Sequence, residues 1–331
     1  MKNALLLFDT KTVHQALLTI KDLKGQEWET ERRIIKALKS MNYTVDLFAL
    51  SNNISELWTH VQRKQYDLIF NSCECYNSRR ELEANVASLL ELADTPFTGE
   101  HPRTLRLCQN KGTLKKLLSF HDVDTPEFWV FRENERLSLA KLKSFSEPFF
   151  VKALNGDGSE GISESSICRN AVELKSRIQF VWNSLSDHAL VEEFIPGREF
   201  YVGISSDSKL KFWPRELHSP KNSRGEKIFS FNKKWNQKLR KEKRIQTRPL
   251  AASEIELLER IRRVSEKVKS ILEIRSYARI DFRFDPKSNR LCVLEVNPNP
   301  SLCYWDDYFR GAQKNGHSYH DVIKAIVKKA A

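Results

Sequence analysis

Apolar runs and amphipathic stretches alternate along the first hundred residues. Short apolar runs predict strands, and the stretches between them repeat apolar residues at helical spacing. The predicted strands cover 4–8, 43–49 and 66–71, and the predicted helices cover 27–41, 54–64 and 80–93. This alternation predicts an α/β fold with a Rossmann-like parallel sheet and helices on both faces. Ligands of such sheets bind beyond the carboxyl ends of the strands.

The rest of the chain has a mixed α+β pattern. Helices are predicted at 103–120, 138–145, 171–185, 253–272 and 319–329, and strands at 128–131, 148–153, 189–194, 199–204, 277–285 and 290–297. Residues 222–248 are polar and basic with little periodicity, and an unstructured connection of that length is typical of a functional lid. We expect an N-terminal domain at 1–101, a central domain at 102–190 and a C-terminal domain at 191–331.

Two carboxylates belong to the predicted hairpin of 277–285 and 290–297. A turn centred near Ser288 pairs positions whose numbers sum to 576, which places Asp281 opposite Glu295. Uninterrupted alternation then puts Leu291, Val293, Glu295 and Asn297 on one face. Two neighbouring acids in a half-buried place need a cation or a shared proton. Acid and amide oxygens suit Mg²⁺, although a solvated face with salt bridges explains the same pattern.

The segment after Lys152 contains three glycines within six residues, Gly156, Gly158 and Gly161. Glycines let backbone N–H groups surround a phosphate, and a nearby lysine neutralises its charge. Neither a Walker A motif nor a G-x-G-x-x-G fingerprint is present. Taken alone, the segment is better explained by a glycine-rich turn. The strand–acid pair–turn pattern of 190–200 is equally well explained by a surface hairpin.

Composition narrows the classes of function only a little. The net charge of +12 favours anionic ligands, but no nucleic-acid-binding motif is found. No apolar run reaches the roughly 18–20 residues of a membrane span, and the first residues read as a buried strand rather than a signal peptide. The six cysteines include no C-x-x-C pair. Reduced core thiols in a cytoplasmic protein are expected, with the role of Cys73 and Cys75 open.

Seven short segments, taken in order, resemble the ATP-grasp fold and its D-alanine–D-alanine ligase-like branch. They are Phe97-Thr98-Gly99, Asn110-Lys111, Phe150-Val151-Lys152, Gly158-Ser159-Glu160-Gly161-Ile162-Ser163, Val191-Glu192-Glu193-Phe194-Ile195-Pro196-Gly197-Arg198-Glu199, Ala278-Arg279-Ile280-Asp281-Phe282 and Leu294-Glu295-Val296-Asn297-Pro298. The resemblance covers the chain from about residue 91 to its end, and the first ninety residues only in layout.

The resemblance implies an ATP-dependent carboxylate–amine ligase that works through an acyl-phosphate and releases ADP and phosphate. The implied ATP-contacting residues are Lys111, Lys152, Gly158, Ser159, Glu192, Glu193, Ile195 and Glu199. The implied ligands of Mg²⁺ (with Mn²⁺ as an alternative, and two ions expected) are Asp281, Glu295 and Asn297. Arg279 resembles the arginine that stabilises the transferring phosphoryl group. Lys234 resembles the lysine of the lid, with Lys233 as an alternative.

The departures from the family pattern concern the amino-acid substrates. Residues 71–80 lack the family's glycine-rich segment, and no acid after the first strand corresponds to the family's ammonium ligand. Aromatic residues and the acids Asp306 and Asp307 follow the last metal position. We therefore expect small-molecule carboxylate and amine substrates of amino-acid or peptide-like kind, but a main product other than D-Ala-D-Ala. A homodimer and a catalytically idle ATP-binding regulator or scaffold are left open.

Overall fold

The structure is a computed structural model. It describes residues 2–10, 19–133, 135, 138, 142, 147–156, 158–207, 210, 213–222, 225–226, 228, 230, 233–234, 236–251 and 253–330.

The N-terminal region contains a three-stranded parallel sheet. Its strands are β1 (Lys2–Asp9), β2 (Tyr43–Leu50) and β3 (Leu68–Asn71), in the order β2-β1-β3. The helices are α1 (Glu29–Ser40), α2 (Ile54–Arg63) and α3 (Glu83–Leu92). Successive side chains of β1 point to opposite faces, so Leu6 joins the core with α1 while Leu5 and Leu7 join the core with α2 and α3. The predicted α/β arrangement is confirmed.

The single helix predicted at 103–120 is wrong. The structure has α4 (Pro102–Gln109) and α5 (Lys111–Phe120), with Asn110 in an extended conformation between them. The side chain of Asn110 accepts a hydrogen bond from the backbone N–H of Thr113 at 2.9 Å and so caps α5. Both helices bury leucines, so the apolar periodicity of the sequence continues across the break. The sequence pattern therefore did not indicate the cap at Asn110.

A four-stranded antiparallel sheet follows. It consists of β4 (Phe128–Phe131), β5 (Phe149–Ala153), β6 (Ile167–Cys168) and β7 (Ala189–Glu193), in the order β4-β7-β5-β6. The helix α6 (Ala171–Leu185) packs on this sheet through Leu174, Ile178 and Val181. The helix predicted at 138–145 lies almost entirely outside the described residues.

A five-stranded antiparallel sheet forms most of the C-terminal half. Its strands are β8 (Arg198–Ser205), β9 (Trp213–His218), β10 (Gln246–Pro249), β11 (Tyr277–Asp285) and β12 (Arg290–Pro298), in the order β10-β9-β8-β11-β12. The helix α8 (Ile255–Ile271) covers one face. The sequence pattern missed β9. It also treated 222–248 as one irregular connection, where the structure has α7 (Gln237–Glu242) and most of β10.

The hairpin of β11 and β12 contains an irregularity that the sequence did not indicate. Asp281 pairs with Glu295 as predicted, but Phe282 pairs with Val293, so Leu294 is an extra residue in the ladder. The predicted alternation is therefore wrong on the turn side of Leu294. Val293 and Leu291 pack in the core with Phe282 instead of sharing a face with Glu295.

Of the two C-terminal helices, α9 (Asp307–Lys314) packs against β8 and β9, and α10 (Tyr319–Val327) packs against α1. Both contribute to the core that contains Leu6 of β1. The buried Trp213 of β9 fits between Gly203 of β8 and Gly311 of α9. A Cβ atom on Gly203 would lie 1.9 Å from the indole Nε1, and one on Gly311 would lie 2.2 Å from the indole Cδ1. No side chain other than hydrogen fits at either glycine. No helix among the described residues combines the length and apolar character needed to cross a bilayer.

Candidate active site

The predicted site residues surround two adjoining cavities that share Lys234, Arg279 and Glu295. One cavity, of about 90 Å³, lies between the four-stranded and five-stranded sheets, and we call it the sheet cavity. The other, of about 110 Å³, extends towards the N-terminal region, and we call it the interdomain cavity. The shared residues place the chemistry-bearing side chains at the junction of the two cavities.

Every predicted site position lines at least one of these cavities. The sheet cavity is lined by Lys152, Ser159, Glu192, Glu193, Ile195, Glu199 and Asp281 in addition to the three shared residues. The interdomain cavity is lined by Lys111, Gly158 and Asn297 in addition to the same three. The structure establishes where these residues lie, and their individual roles remain predictions.

The acidic pair occupies neighbouring positions on the face of the sheet that looks into the cavities. Asp281 and Glu295 are direct cross-strand partners, and Asp281 is buried. Arg279 donates to both oxygens of Asp281, from Nε at 2.7 Å and from Nη2 at 2.9 Å. Burial raises the pKa of Asp281 to about 7, Arg279 opposes this change and the charge of Glu295 adds to it. Positive charge near this pair is therefore stabilising.

Asn297 completes the predicted metal-binding set. It pairs with Arg279 across the hairpin, and its side-chain Nδ2 lies 3.4 Å from Asp281 Oδ2. A carboxylate oxygen carries two lone pairs, so Oδ1 of Asp281 retains one beyond its bond to Arg279, whereas Oδ2 accepts from both Arg279 and Asn297. No group of three or more His, Cys, Asp or Glu side chains that could hold a metal occurs in the described part of the chain. Two acids and one amide fit Mg²⁺ when phosphate oxygens and water supply the other ligands.

A buried charged triad lies beside the acidic pair. Glu192 is 3% exposed and forms ion pairs with Lys115 Nζ at 2.8 Å and with Lys152 Nζ at 3.1 Å. Burial alone would lower the pKa of Lys152, but Glu192, Glu295 and Asp281 reverse the direction and raise it. Burial lowers the pKa of Lys115, although Glu192 opposes it. Glu192 Oε1 is fully buried on the side of Lys115, and Oε2 faces Lys152.

The glycine-rich segment after β5 turns back on itself. Gly158 and Ser159 both have positive φ values, 62° and 65°. Lys111, at the start of α5, donates from Nζ to the carbonyl oxygen of Gly156. Asn155 is held by Asp187 through two hydrogen bonds. A turn with consecutive left-handed residues directs backbone N–H groups to one side, which suits an anion.

The edge of the sheet cavity between β7 and β8 is held by arginines. Arg290 Nη1 lies 2.7 Å from Glu193, and Arg283 Nη1 donates to the carbonyl oxygen of Ile195 at 2.7 Å. Glu199 accepts hydrogen bonds from Arg283 Nη2 at 3.0 Å and from the hydroxyl of Tyr201 at 2.9 Å. These contacts fix the orientation of the segment that the sequence predicts as the adenine and ribose edge.

The two candidate lid lysines differ in their surroundings. Lys233 donates from Nζ to the carbonyl oxygen of Ile228 at 3.0 Å, and burial lowers its pKa. Lys234 lines both cavities and acts electrostatically on Asp281 and Asp306. Lys234 is therefore the one of the two that acts on the acids lining the cavities.

The lining of the interdomain cavity contains several acids. Its lining includes Glu74, Glu83 and Asp306, together with Arg80, whose Nη2 lies 3.2 Å from Glu74. Burial raises the pKa of Asp306, and the charge of Asp307 adds to the rise. Cys73 and Cys75 are buried thiols, and Cys75 donates a hydrogen bond to Asp9. All six cysteines of the chain are free thiols, as expected.

Three residues of the site were missed by the sequence reasoning: Lys115, Arg283 and Tyr201. Lys115 follows Lys111 by four positions on α5, and this spacing places both on one helical face, which was a usable signal. Arg283 and Tyr201 occupy strand positions on the same face as Asp281. The sequence pattern predicted only that this face is polar. Nothing in their local sequence indicated contact with Glu199.

A parallel-sheet domain, two antiparallel sheets enclosing a cleft, and a buried lysine opposite paired acids define an ATP-grasp enzyme of the class of ligases that form C–N bonds. The family described as "D-ala D-ala ligase C-terminus" matches residues 117–328, well over half of the chain. The chain therefore belongs to the D-alanine–D-alanine ligase family.

Individual relatives agree with this assignment. An uncharacterised protein of Sinorhizobium fredii is 27% identical over 80% of this chain and 74% of its own length. D-alanine–D-alanine ligase of Carboxydothermus hydrogenoformans is 26% identical over 89% of this chain and 90% of its own length. The crystal structure of D-alanine–D-alanine ligase from Bacillus anthracis complexed with ATP has a TM-score of 0.77 at 18% identity. The match covers 99% of this chain and 97% of that one, which confirms the fold.

Proposed function

We propose that this protein is an ATP- and magnesium-dependent carboxylate–amine ligase that activates its first substrate as an acyl-phosphate. The observation that carries the proposal is the meeting of the two cavities at Lys234, Arg279 and Glu295. A nucleotide in the sheet cavity would direct its terminal phosphate to this junction. A carboxylate in the interdomain cavity would reach the same place from the other side.

Nucleotide binding is supported by the polar groups of the sheet cavity. Lys152 and Lys111 provide positive charge for phosphates, and the turn at Gly158 and Ser159 provides backbone donors. Glu192, Glu193 and Ile195 line the same cavity and would form the adenine edge, and Glu199 is oriented for ribose hydroxyls by its bond from Arg283. Burial of Lys152 excludes water from its ammonium group and strengthens its attraction for phosphate.

Asp281, Glu295 and Asn297 would hold Mg²⁺, which neutralises phosphate charge during transfer when it is bound. Two ions are expected, and Glu295 would be among the residues that hold them. Arg279 and Lys234 would stabilise the charge that develops as the substrate carboxylate oxygen attacks the γ-phosphorus and ADP leaves. An amine then attacks the acyl carbon, loses a proton and releases inorganic phosphate. Most of the catalysis is positioning within a closed cleft.

We further propose that D-Ala-D-Ala is not the main product. Asp306 and the acids Glu74 and Glu83 line the cavity that would receive the amino acids. A buried acid beside an incoming carboxylate costs electrostatic free energy, whereas an amine or a larger polar group is attracted. The acceptor of this enzyme is therefore expected to differ from D-alanine at the end that carries the carboxylate.

A colorimetric phosphate-release screen over pairs of amino acids and amines, with mass spectrometry of the products, tests the activity and the acceptor together. We expect weak phosphate release with D-alanine alone and strong release with another pair. Robust synthesis of D-Ala-D-Ala would refute the substrate proposal. Binding of ATP without phosphate release over the whole panel would instead favour an idle ATP-binding protein.

The acyl-phosphate step needs its own test. With the carboxylate substrate labelled with ¹⁸O on both oxygens, attack on phosphorus transfers one labelled oxygen to the released phosphate. We expect one ¹⁸O atom per phosphate by mass spectrometry. Unlabelled phosphate formed together with product would exclude this route.

A further inference from the structure

Lys115 is a fully buried cation that no part of the proposed reaction uses. It belongs to α5 and has no exposed surface. Its ammonium group donates to the hydroxyl of Thr125 at 2.8 Å and lies 2.8 Å from Glu192 Oε1. Burying an ammonium group is costly unless it is paired, so a lysine at this position requires a compensating contact. Glu192 is that contact.

Glu192 also holds the lysine that faces the phosphate-binding side of the sheet cavity. Its second oxygen, Oε2, lies 3.1 Å from Lys152 Nζ. One carboxylate is therefore shared between two ammonium groups, one on α5 and one on β5. The triad carries a net charge of +1 when all three groups are ionised. Lys115 and Lys152 differ in position, since only Lys152 lines the sheet cavity.

We propose that Lys115 is a positioning residue for ATP binding, which restrains Glu192 so that Lys152 keeps its charge available to phosphate. Without Lys115, Glu192 forms an exclusive pair with Lys152 and neutralises it. The inference rests on the proposed function, because it assigns Lys152 to the phosphates of ATP. Lys115 itself touches neither the cavity nor the reacting groups.

The test is a double-mutant cycle on ATP affinity, measured by isothermal titration calorimetry with Mg²⁺ and no second substrate. We expect Lys115→Met to raise the dissociation constant about tenfold, equivalent to about 1.4 kcal/mol. In a Glu192→Gln background the same change should alter it less than about twofold, because the neutral amide introduced there cannot cancel the charge of Lys152. An equal loss in both backgrounds would overturn the proposal.

Lys116→Met is the matched control, since Lys116 is the exposed neighbour on α5. It should leave ATP affinity unchanged, and a tenfold loss there would attribute the effect to general helix charge.

Thermal unfolding checks that each variant folds. If Lys115→Met does not fold, Thr125→Val keeps both charges and removes only the hydroxyl acceptor of Lys115. A smaller loss with the same dependence on Glu192 is then expected, and additivity with Glu192→Gln overturns the proposal.

The outcome for the unmodified chain separates this inference from the proposed function. If the unmodified chain does not bind ATP, the proposed function fails and this inference fails with it. If it binds ATP and the cycle is additive, the ligase proposal stands and only the positioning role of Lys115 is lost.

Discussion

The residues that define the candidate site are acids and cations on the buried face of the sheet that lines the cavities. The pairing of Asp281 with Glu295 was predicted from a turn centred near Ser288. The observed turn is displaced by one position, and the bulge at Leu294 compensates for that displacement. Lys115 was not predicted, although its four-residue spacing from Lys111 places both on one face of α5. Only tertiary structure shows that the opposite wall supplies Glu192. Pairing along the sequence was predictable, and pairing across the fold was not.

Exchange of the two neighbouring lid lysines for methionine should have unequal effects. Lys234→Met removes a cation at the junction of the cavities and should lower kcat about 10²-fold, as for the loss of one transition-state donor. Lys233→Met removes a contact to the carbonyl oxygen of Ile228 and should lower kcat only a few-fold. Steady-state kinetics with the substrate pair found in the screen gives both values. The reverse ranking would assign the role to Lys233.

Helices and strands were predicted well where apolar periodicity dominates the sequence. They were predicted poorly where a cap or buried polar residues determine the structure. The helix α6 and the strand β11 begin and end where the pattern placed them. In β9 the buried residues include Arg215 and Glu216, so its pattern resembled an exposed loop. The bulge at Leu294 was equally hidden, because an extra ladder residue changes no local preference.

The break between α4 and α5 gives a prediction about Asn110. Removing its cap with Asn110→Ala should lower the free energy of unfolding by about 1 kcal/mol, since one backbone N–H of α5 loses its acceptor. Asn110→Asp keeps an acceptor and should stay within a few tenths of a kcal/mol of the unmodified chain. Urea unfolding measures both changes. Equal stability of all three chains would mean that Asn110 does not cap α5 in solution.

At the scale of the whole molecule, segments that are distant in sequence contact one another. The C-terminal helix α10 completes the core on one face of the N-terminal sheet. Glu100 joins the segment after that sheet to the start of β11, since it accepts hydrogen bonds from the backbone N–H groups of Arg275 and Ser276. Contacts between segments so far apart along the chain produce no periodic pattern in the sequence, so no such pattern could have predicted them.

The buried Glu100 links stability to pH. Burial raises its pKa to about 7 from an ordinary 4.5, against the opposing effect of the Arg275 and Ser276 backbone donors. Between these values the folded chain retains a proton that the unfolded chain releases. The free energy of unfolding should therefore rise as pH falls from 7 to 4.5, by up to about 3 kcal/mol at about 1.4 kcal/mol per pH unit.

Urea unfolding between about pH 4.5 and about pH 8 measures this contribution as a difference between variants. Glu100→Gln has no proton to exchange at this position, so its stability should change less over the same range. Glu256→Gln, an exposed substitution on α8, should keep the slope of the unmodified chain. Parallel curves for Glu100→Gln and the unmodified chain would show that Glu100 is not the linked group.

The fit of Trp213 between two glycines has a consequence for how the cleft opens. Because hydrogen is all that separates the indole from β8 on one side and α9 on the other, these three elements have no room to slide past each other. Any motion that admits substrate must carry them as one block and flex the chain elsewhere. An alanine at Gly203 or Gly311 would therefore force these three elements apart.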